Sequence, residues 1–309
     1  MSEKIQIAPE LAEKAQSLGL NYFEVPPEKS SFYTIGVDVT HRCNMECANC
    51  YSPIRNLPDV SMKDLFHFFE RLGRKTELRL TGGEPTLRKD LPEIIRKINE
   101  LGHRSAIMTN GLKLADKDYA ATLKQAGLKF VCISMNGADD DDLYLKMDNK
   151  KCAEQKVQAL KNCSELGFFT NINCIMAKGV NPEAPSRLYK LLKEINIHSV
   201  LRFRNIGKLG RYLSLENYTF DEMVESICAA FGKNPSEVKR YNLVNGYEEE
   251  HNILFPVDAG KTRTTSWVKI TDWRPTENSC PDPNSIRRGR MTKNFNVAPF
   301  FEHSKLFGY

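Results

Sequence analysis

The sequence predicts an α/β protein built on a parallel sheet, and three observations carry that expectation. Short β-rich runs alternate with amphipathic stretches from about Ser31 to about Gly232, those stretches space their apolar residues at helical intervals, and glycines stand where several of them end. Strands that alternate with helices are joined by right-handed crossovers and lie parallel, which leaves a barrel or an open doubly wound sheet.

In chain order, residues 1–30 read as a helical lead-in that closes on Pro26-Pro27. Thr34 to Val39 is the first strand and Ser61 to Leu72 the helix after it. Between the strands Glu77 to Leu80 and Arg104 to Thr109, the stretch Asp90 to Leu101 places Leu91, Ile94, Ile95 and Ile98 on one helical face. Then come a helix over Ala115 to Ala126, a strand over Lys129 to Ser134 and a helix over Lys150 to Leu166. A strand over Thr170 to Met176, a helix over Pro182 to Ile195 and a sixth strand over Ser199 to Arg204 complete the alternation. Asp90 and Asn181 just ahead of Pro92 and Pro182 suit helix starts, and Gly102, Gly127 and Gly167 suit left-handed caps at helix ends. The acidic run Asp139 to Asp142 reads as a solvated loop. Beyond Lys233 the alternation stops: short strands are expected at Asn252 to Val257 and Thr265 to Trp273, with Trp267 and Trp273 in the core or its rim. The expected division is thus a lead-in over 1–30, an α/β domain over 31–232, and a C-terminal extension over 233–309 able to cover the mouth of the sheet.

Composition narrows the class. With 41% apolar and 27% charged residues, and no apolar run near the ~20 needed to cross a bilayer, the sequence predicts a cytoplasmic protein without a membrane partner. A net charge of +5 spread along the chain permits an anionic substrate without demanding nucleic acid. Nine scattered cysteines with no secretory pattern ahead of them argue against a disulfide framework.

Three of those cysteines, Cys43, Cys47 and Cys50, fall in the loop after the first strand, in the run His41-Arg42-Cys43-Asn44-Met45-Glu46-Cys47-Ala48-Asn49-Cys50-Tyr51. Three thiolates on one loop can hold three corners of a [4Fe–4S] cube and leave the fourth iron open to a small chelating molecule. The same thiolates with His41 also make a donor set for Cys3His zinc. One strand–helix unit later stands Thr81-Gly82-Gly83-Glu84-Pro85, a glycine pair that lets backbone approach closely, next to a carboxylate. Cys43-x3-Cys47-x2-Cys50 followed at this separation by Gly-Gly-Glu-Pro resembles the radical S-adenosylmethionine (SAM) superfamily, from Ile35 to about Arg211.

The resemblance implies a partial (β/α)6 TIM-like barrel with the cysteine loop at its mouth. It implies a [4Fe–4S] cluster on Cys43, Cys47 and Cys50, with SAM on the open iron. Gly82, Gly83 and Glu84 are then expected at the amino group of SAM, Ser134 and Asn136 near its ribose, and Arg204 at its carboxylate. Met108-Thr109-Asn110-Gly111 is similar to a family turn, and Asn171 to Met176 lies where relatives contact ribose and adenine. An electron from an external donor such as flavodoxin or ferredoxin would cleave SAM to methionine and a 5′-deoxyadenosyl radical, which removes a hydrogen atom from the substrate. Arg202, Lys208 and Arg211 are the candidate substrate residues, because guanidinium and ammonium groups suit a carboxylate or phosphate. Cys132 and Cys174 are candidates to face the barrel interior, and the tail Ser285 to Lys293 reads as a lid or a basic surface.

The chain departs from the family pattern at Asn49, where many members carry an aromatic or histidine; its Cys50-Tyr51 ending is like that of peptide-modifying relatives. Those relatives add a cluster-bearing C-terminal domain, and here only Cys228 and Cys280 lie beyond the sixth strand, so no second cluster is expected. The leading expectation is a radical SAM enzyme acting on a small anionic metabolite or natural-product intermediate. The alternatives are modification of a ribosomally made peptide or of RNA, and, from another class, a non-catalytic zinc or iron–sulfur binding module.

Overall fold

The computed structural model describes residues 5, 7–197, 199–207, 210–245, 252–258, 265–272 and 288–307. Helix α1 (Pro9–Ser17) precedes the repeating part: β1 (Thr34–Thr40), α2 (Met62–Glu70), β2 (Glu77–Gly82), α3 (Leu91–Glu100), β3 (Arg104–Thr109), α4 (Lys117–Gln125) and β4 (Phe130–Ser134). Helices α5 (Asp141–Asp148) and α6 (Ala153–Glu165) lead to β5 (Phe169–Met176), α7 (Ala184–Ile195) and β6 (Ser199–Asn205). Helices α8 (Phe220–Ala230) and α9 (Pro235–Val244), strands β7 (Asn252–Asp258), β8 (Thr265–Thr271), β9 (Arg288–Met291) and β10 (Val297–Pro299), and α10 (Phe300–Phe307) follow.

Among the described residues the ten strands form one sheet in the order β10-β9-β1-β2-β3-β4-β5-β6-β8-β7. The six strands expected from the sequence are its middle, parallel and in chain order, so the partial barrel is the architecture found. The C-terminal extension adds a strand pair at each edge: β8 runs parallel to β6 with β7 antiparallel outside it, and β9 runs parallel to β1 with β10 antiparallel outside it. The tail expected to be a lid or a basic surface is therefore, over 288–291, a strand paired with β1.

Alternation sorts the two faces. Leu78 and Leu80 on β2, Ile107 on β3, Ile133 on β4, and Leu201 and Phe203 on β6 are fully buried in one core with Phe68 and Phe69 of α2 and Ile94, Ile95 and Ile98 of α3. Each such side chain contributes about 1.5–3 kcal/mol by leaving water. The residues between them face the concave side, and the register lines up Cys132, Asn171 and Val200 in one row, and Ser134, Asn173, Arg202 and Lys269 in the next. Cys132 thus faces inward as expected. Cys174 pairs with Phe203 in register and lies buried in the core, on the helix side rather than in the interior.

The acidic run is a correction of another kind. Asp140 caps α5 by accepting the N–H groups of Asp142 (2.8 Å) and Leu143 (3.1 Å), and Asp141 and Asp142 lie in the first turn, where carboxylates complement the helix dipole. Asp141 also accepts the Ala153 N–H at 2.8 Å, so the run starts one helix and steadies the next.

Candidate functional site

The loop after β1 is held at each of its cysteines by a different later segment of the chain. At its root, the Gly83 N–H donates to the Thr40 carbonyl and the Glu84 N–H to the Arg42 carbonyl, both at 2.8 Å. The approach is so close that a Cβ on Gly82 would stand 2.1 Å from the Thr40 carbonyl oxygen, and one on Gly83 2.3 Å from that of Arg42. Gly82 also has a φ of +113°. The missing side chains of the glycine pair are thus demanded by the protein's own cysteine loop. Thr40 and Arg42 are further tied to Asp59, and Arg88, almost fully buried, donates to the carbonyls of Val39 (2.7 Å) and Val60 (2.6 Å).

Glu84 is the centre of this root. It is 1% exposed; Oε1 accepts from Thr86 N–H (3.1 Å), Thr86 Oγ1 (2.6 Å) and Thr109 Oγ1 (2.7 Å), and Oε2 accepts from the Asn110 N–H (2.7 Å). Asn110 then donates through Nδ2 to Asn44 Oδ1 at 2.7 Å, next to Cys43. The Thr109-Asn110-Gly111 turn therefore connects the carboxylate of β2 to the first cysteine.

Cys47 is flanked by the end of α5: the Ala48 N–H donates to the Met147 carbonyl (3.1 Å) and Asn149 Nδ2 to the Glu46 carbonyl (2.7 Å). Cys50 forms a two-way bridge with Arg211, N–H to carbonyl at 2.6 Å one way and 2.9 Å the other. Gly210 beside it has a φ of +62°, and a Cβ there would stand 2.5 Å from the Cys50 carbonyl oxygen. Arg55 Nη2 donates to Cys50 Sγ at 3.3 Å, and Glu46 pairs with Arg211 at 2.9 Å. Tyr51 shares a 2.7 Å hydrogen bond with Thr81 Oγ1, and Arg290 of β9, fully buried and bonded to Asp38, lies 5.6 Å from the centroid of its ring.

The donor set fits an iron–sulfur cluster. All described cysteines are free thiols, and Cys43, Cys47 and Cys50 are the three that are not fully buried. Burial raises the Cys43 and Cys47 thiols above the ordinary range; Glu84 and Cys50 raise Cys43 further, and Asp148, Cys50 and Cys43 raise Cys47, so bound cations would stabilise the thiolates. Around them His41 Nδ1, Asn49 Oδ1, Ser52 Oγ and Arg55 Nε are buried without a hydrogen-bond partner, a concentration that points to a bound group. Among the described residues no three His, Cys, Asp or Glu side chains converge on one point; a [4Fe–4S] cube takes its ligands at separate corners.

The other expected residues lie as follows. Ser134 ends β4 with its carbonyl bonded by Lys156 Nζ at 2.6 Å. Asn136 is buried, and its side chain is engaged by Asp148 (2.8 Å) and the Ile175 N–H (2.9 Å). Arg202 and Arg204 share the concave face of β6; burial lowers the basicity of both, Arg204 lies within electrostatic reach of Tyr51, and Arg202 Nε meets no hydrogen-bond partner. Lys208 lies outside the described residues, as do Trp273, Cys280 and residues 285–287 of the tail. The sequence reading missed Asn44, Asn149, Asp148, Lys156 and Arg290. An asparagine two residues behind a helix-ending lysine–methionine pair was a usable signal for Asn149, whose φ of +53° is a left-handed cap; nothing local marked the others.

A partial barrel whose first βα loop carries three thiols, pinned by a Gly-Gly-Glu turn, defines a cluster-binding α/β protein. The model of the radical SAM superfamily matches residues 37–192, and the chain belongs to that superfamily, which uses a [4Fe–4S] cluster and SAM. Its relatives include the 7,8-dihydro-6-hydroxymethylpterin dimethyltransferase of Methanocaldococcus jannaschii (28% identical over 60% of this chain and 38% of that protein). They also include the Fe-coproporphyrin III synthase of Methanosarcina barkeri (32%, over 58% and 47%) and the GTP 3′,8-cyclase of Staphylococcus carnosus (29%, over 68% and 66%). The chain thus spans less than half the length of the first two. Streptococcus suis SuiB, solved with its precursor peptide SuiA, is similar in fold at a TM-score of 0.62 and 15% identity, covering 95% of this chain and 63% of that one. No helix among the described residues is long and apolar enough to cross a membrane.

Proposed function

We propose that this chain is an enzyme that reductively cleaves SAM at a [4Fe–4S] cluster held by Cys43, Cys47 and Cys50 and abstracts a hydrogen atom from a small anionic metabolite or natural-product intermediate. The observation that carries this reading is the separate anchoring of each cysteine, by the Gly83–Glu84 turn, by the end of α5, and by Arg211. Such anchoring fixes the ligand geometry before the cluster binds, as a site that must present one open iron to a second molecule requires.

When bound, the cluster and SAM supply one-electron cleavage of a sulfonium and hydrogen abstraction, chemistry that no side chain provides. The chain's own residues position and shield. Glu84, saturated on Oε1, keeps one hydrogen bond on Oε2 and so can accept another from the SAM amino group. Arg204, within electrostatic reach of Tyr51, suits the SAM carboxylate, and the Ser134 carbonyl, expected at the ribose side, is fixed by Lys156. Deeper on the concave face, Arg202 in register with Lys269 and Asn173 offers cations and an amide to an anionic substrate. The names of the relatives specify small molecules, a pterin, a porphyrin and GTP, which supports a small substrate. The electron would come from an external donor such as flavodoxin or ferredoxin.

The test is anaerobic reconstitution with iron and sulfide, reduction with dithionite, addition of SAM, and quantification of 5′-deoxyadenosine. Production abolished by Cys47→Ala supports the reading, and stimulation of turnover by candidate anions, but not by Arg202→Met protein, identifies the substrate site. Zinc in place of iron, or a reduced cluster that leaves SAM intact with every candidate, defeats it.

A further inference from the structure

Lys156 on α6 has no solvent exposure at all. Its Nζ donates to the Ser134 carbonyl at 2.6 Å, stands 3.7 Å from Asp148 Oδ2, and lies 4.9 Å from the centroid of the Tyr144 ring. Asp148, 1% exposed, accepts the Asn136 amide on Oδ1 at 2.8 Å, while its Oδ2 accepts no hydrogen bond. An ion pair this deeply buried and this loosely closed is a poor source of stability; apolar residues of the same volume serve as well or better. Its place in the fold accounts for it.

Asp148 is the last residue of α5, and its two neighbours grip the backbone on either side of Cys47: Met147 accepts from the Ala48 N–H, and Asn149 donates to the Glu46 carbonyl. Cys43 and Cys47 pack on an apolar group that contains Met45, Leu112 and Tyr144, and the ring that Lys156 faces belongs to that group. Burial is the main cause that raises the Cys47 thiol; Asp148 adds to the rise and Lys156 opposes it, so both charges reach the sulfur.

We propose that Lys156 and Asp148 form a built-in charge pair that sets the reduction potential of the cluster bound through Cys47, with both acting as positioning residues for the ligand loop. This rests on the reading of Cys43, Cys47 and Cys50 as cluster ligands. A buried ammonium near a thiolate-bound cluster stabilises the added electron of the reduced state and a buried carboxylate destabilises it, and net charge is one of the levers that spread cluster potentials. Both charges are buried, so solvent screens them far less than it screens a surface charge.

The two single variants therefore move the potential in opposite directions. Lys156→Met removes the cation and leaves Asp148 uncompensated, which lowers the potential. Asp148→Asn keeps a side-chain oxygen for Asn136 and leaves Lys156 uncompensated, which raises it. Lys156→Arg retains the charge and restores the potential toward that of the unaltered protein. The experiment is an anaerobic EPR-monitored titration of the [4Fe–4S]²⁺/⁺ couple in the whole 309-residue chain, with dithionite as the electron source and no SAM or substrate present. The expected shift is a tenfold change in the reduced-to-oxidised ratio at fixed potential, about 59 mV for a one-electron couple, downward for Lys156→Met and upward for Asp148→Asn. Equal iron content with no shift, or with shifts of the same sign, overturns the proposal and leaves the pair a structural tether. If Lys156→Met does not fold, the sign of the Asp148→Asn shift decides alone. If the unaltered protein takes up no iron, the reading of the cysteine loop falls and this proposal with it.

Discussion

The two ends of the cysteine loop are held by different physics. At the Cys43 end the partners are backbone groups and buried side chains: the Gly83 and Glu84 N–H groups on the Thr40 and Arg42 carbonyls, and the Glu84 carboxylate behind them on Thr109 and Asn110. At the Cys50 end the two-way bridge to Arg211 and the Arg55 hydrogen bond to Cys50 Sγ are backed by guanidinium–carboxylate pairing in which the Arg211 and Glu46 side chains are 40% and 60% exposed. Buried hydrogen bonds to a carboxylate are each worth about 1.5–3 kcal/mol, whereas exposed ion pairs are worth about 0–1. The loop therefore has a strongly held root and a more weakly held tip, and the tip is the end tied to Arg211 after β6.

The largest effect expected from that contrast is at the root. Gly83→Ala puts a methyl group 2.3 Å from the Arg42 carbonyl oxygen and 2.8 Å from that of His41, and neither neighbour is a flexible side chain. Overpacking costs about 1–3 kcal/mol even where side chains can yield; here the loop backbone itself must shift, so the variant should lose most of its reconstitutable iron. Gly210→Ala meets the Cys50 and Tyr51 carbonyl oxygens at 2.5 and 2.6 Å and strains a φ of +62°, yet the end of the loop it displaces is the more weakly held one. It should keep its iron and lose SAM cleavage. Iron analysis beside 5′-deoxyadenosine yield checks both, and iron loss in Gly210→Ala equal to that in Gly83→Ala would erase the distinction.

The root was legible in the sequence and the tip was not, for a physical reason. Gly82, Gly83 and Glu84 act through backbone approach and short-range bonds, so their motif and its distance from Cys43 carry the information. The six central strands were legible for the same reason: alternation and helical spacing are local. Helix α5 was hidden because an acidic run is ambiguous until Asp140 is seen capping Asp142 and Leu143. Strand β9 was hidden because Arg290 meets Asp38 across 252 positions, and nothing in an arginine-rich stretch announces that one of its members will be fully buried. Asn136 shows the converse: its place on the strand suggested a ligand contact, while its side chain is engaged by Asp148 and Ile175.

A smaller effect should reach the tip through pH. His303 on α10 is buried against Tyr22, with 3.2 Å between Nδ1 and the tyrosine hydroxyl, and burial, helped by Arg290, pushes its pKa down to about 3. The unfolded chain binds a proton near pH 6.5 that the folded chain refuses, so the stability contributed by neutral His303 is fully present above pH 6.5 and is lost as pH falls toward 3. At pH 5 the loss is about 2 kcal/mol. It falls on the β9–α10 segment that places Arg290 under Tyr51, so urea denaturation should show a lower midpoint at pH 5 than at pH 7, with the difference reduced in His303→Gln.

The smallest effect is the sharpest discriminator between root and tip, because it alters no residue. Raising ionic strength from 0.1 to 1 M shortens the screening length from about 10 to about 3 Å, which weakens an exposed pair and leaves a buried carboxylate's hydrogen bonds unaffected. Glu46, held below the usual carboxylate range chiefly by its hydrogen bond from Arg211, is such an exposed partner. Loss of up to about 1 kcal/mol at that pair accelerates local opening by up to about fivefold. Hydrogen exchange of the Cys50 and Arg211 amides should therefore quicken in 1 M salt, while the Gly83 and Glu84 amides, bonded to Thr40 and Arg42, should exchange at an unchanged rate. Equal acceleration at both ends would mean that the loop opens as one unit, and the anchoring at Cys43 and at Cys50 would then have to be treated as a single cooperative element.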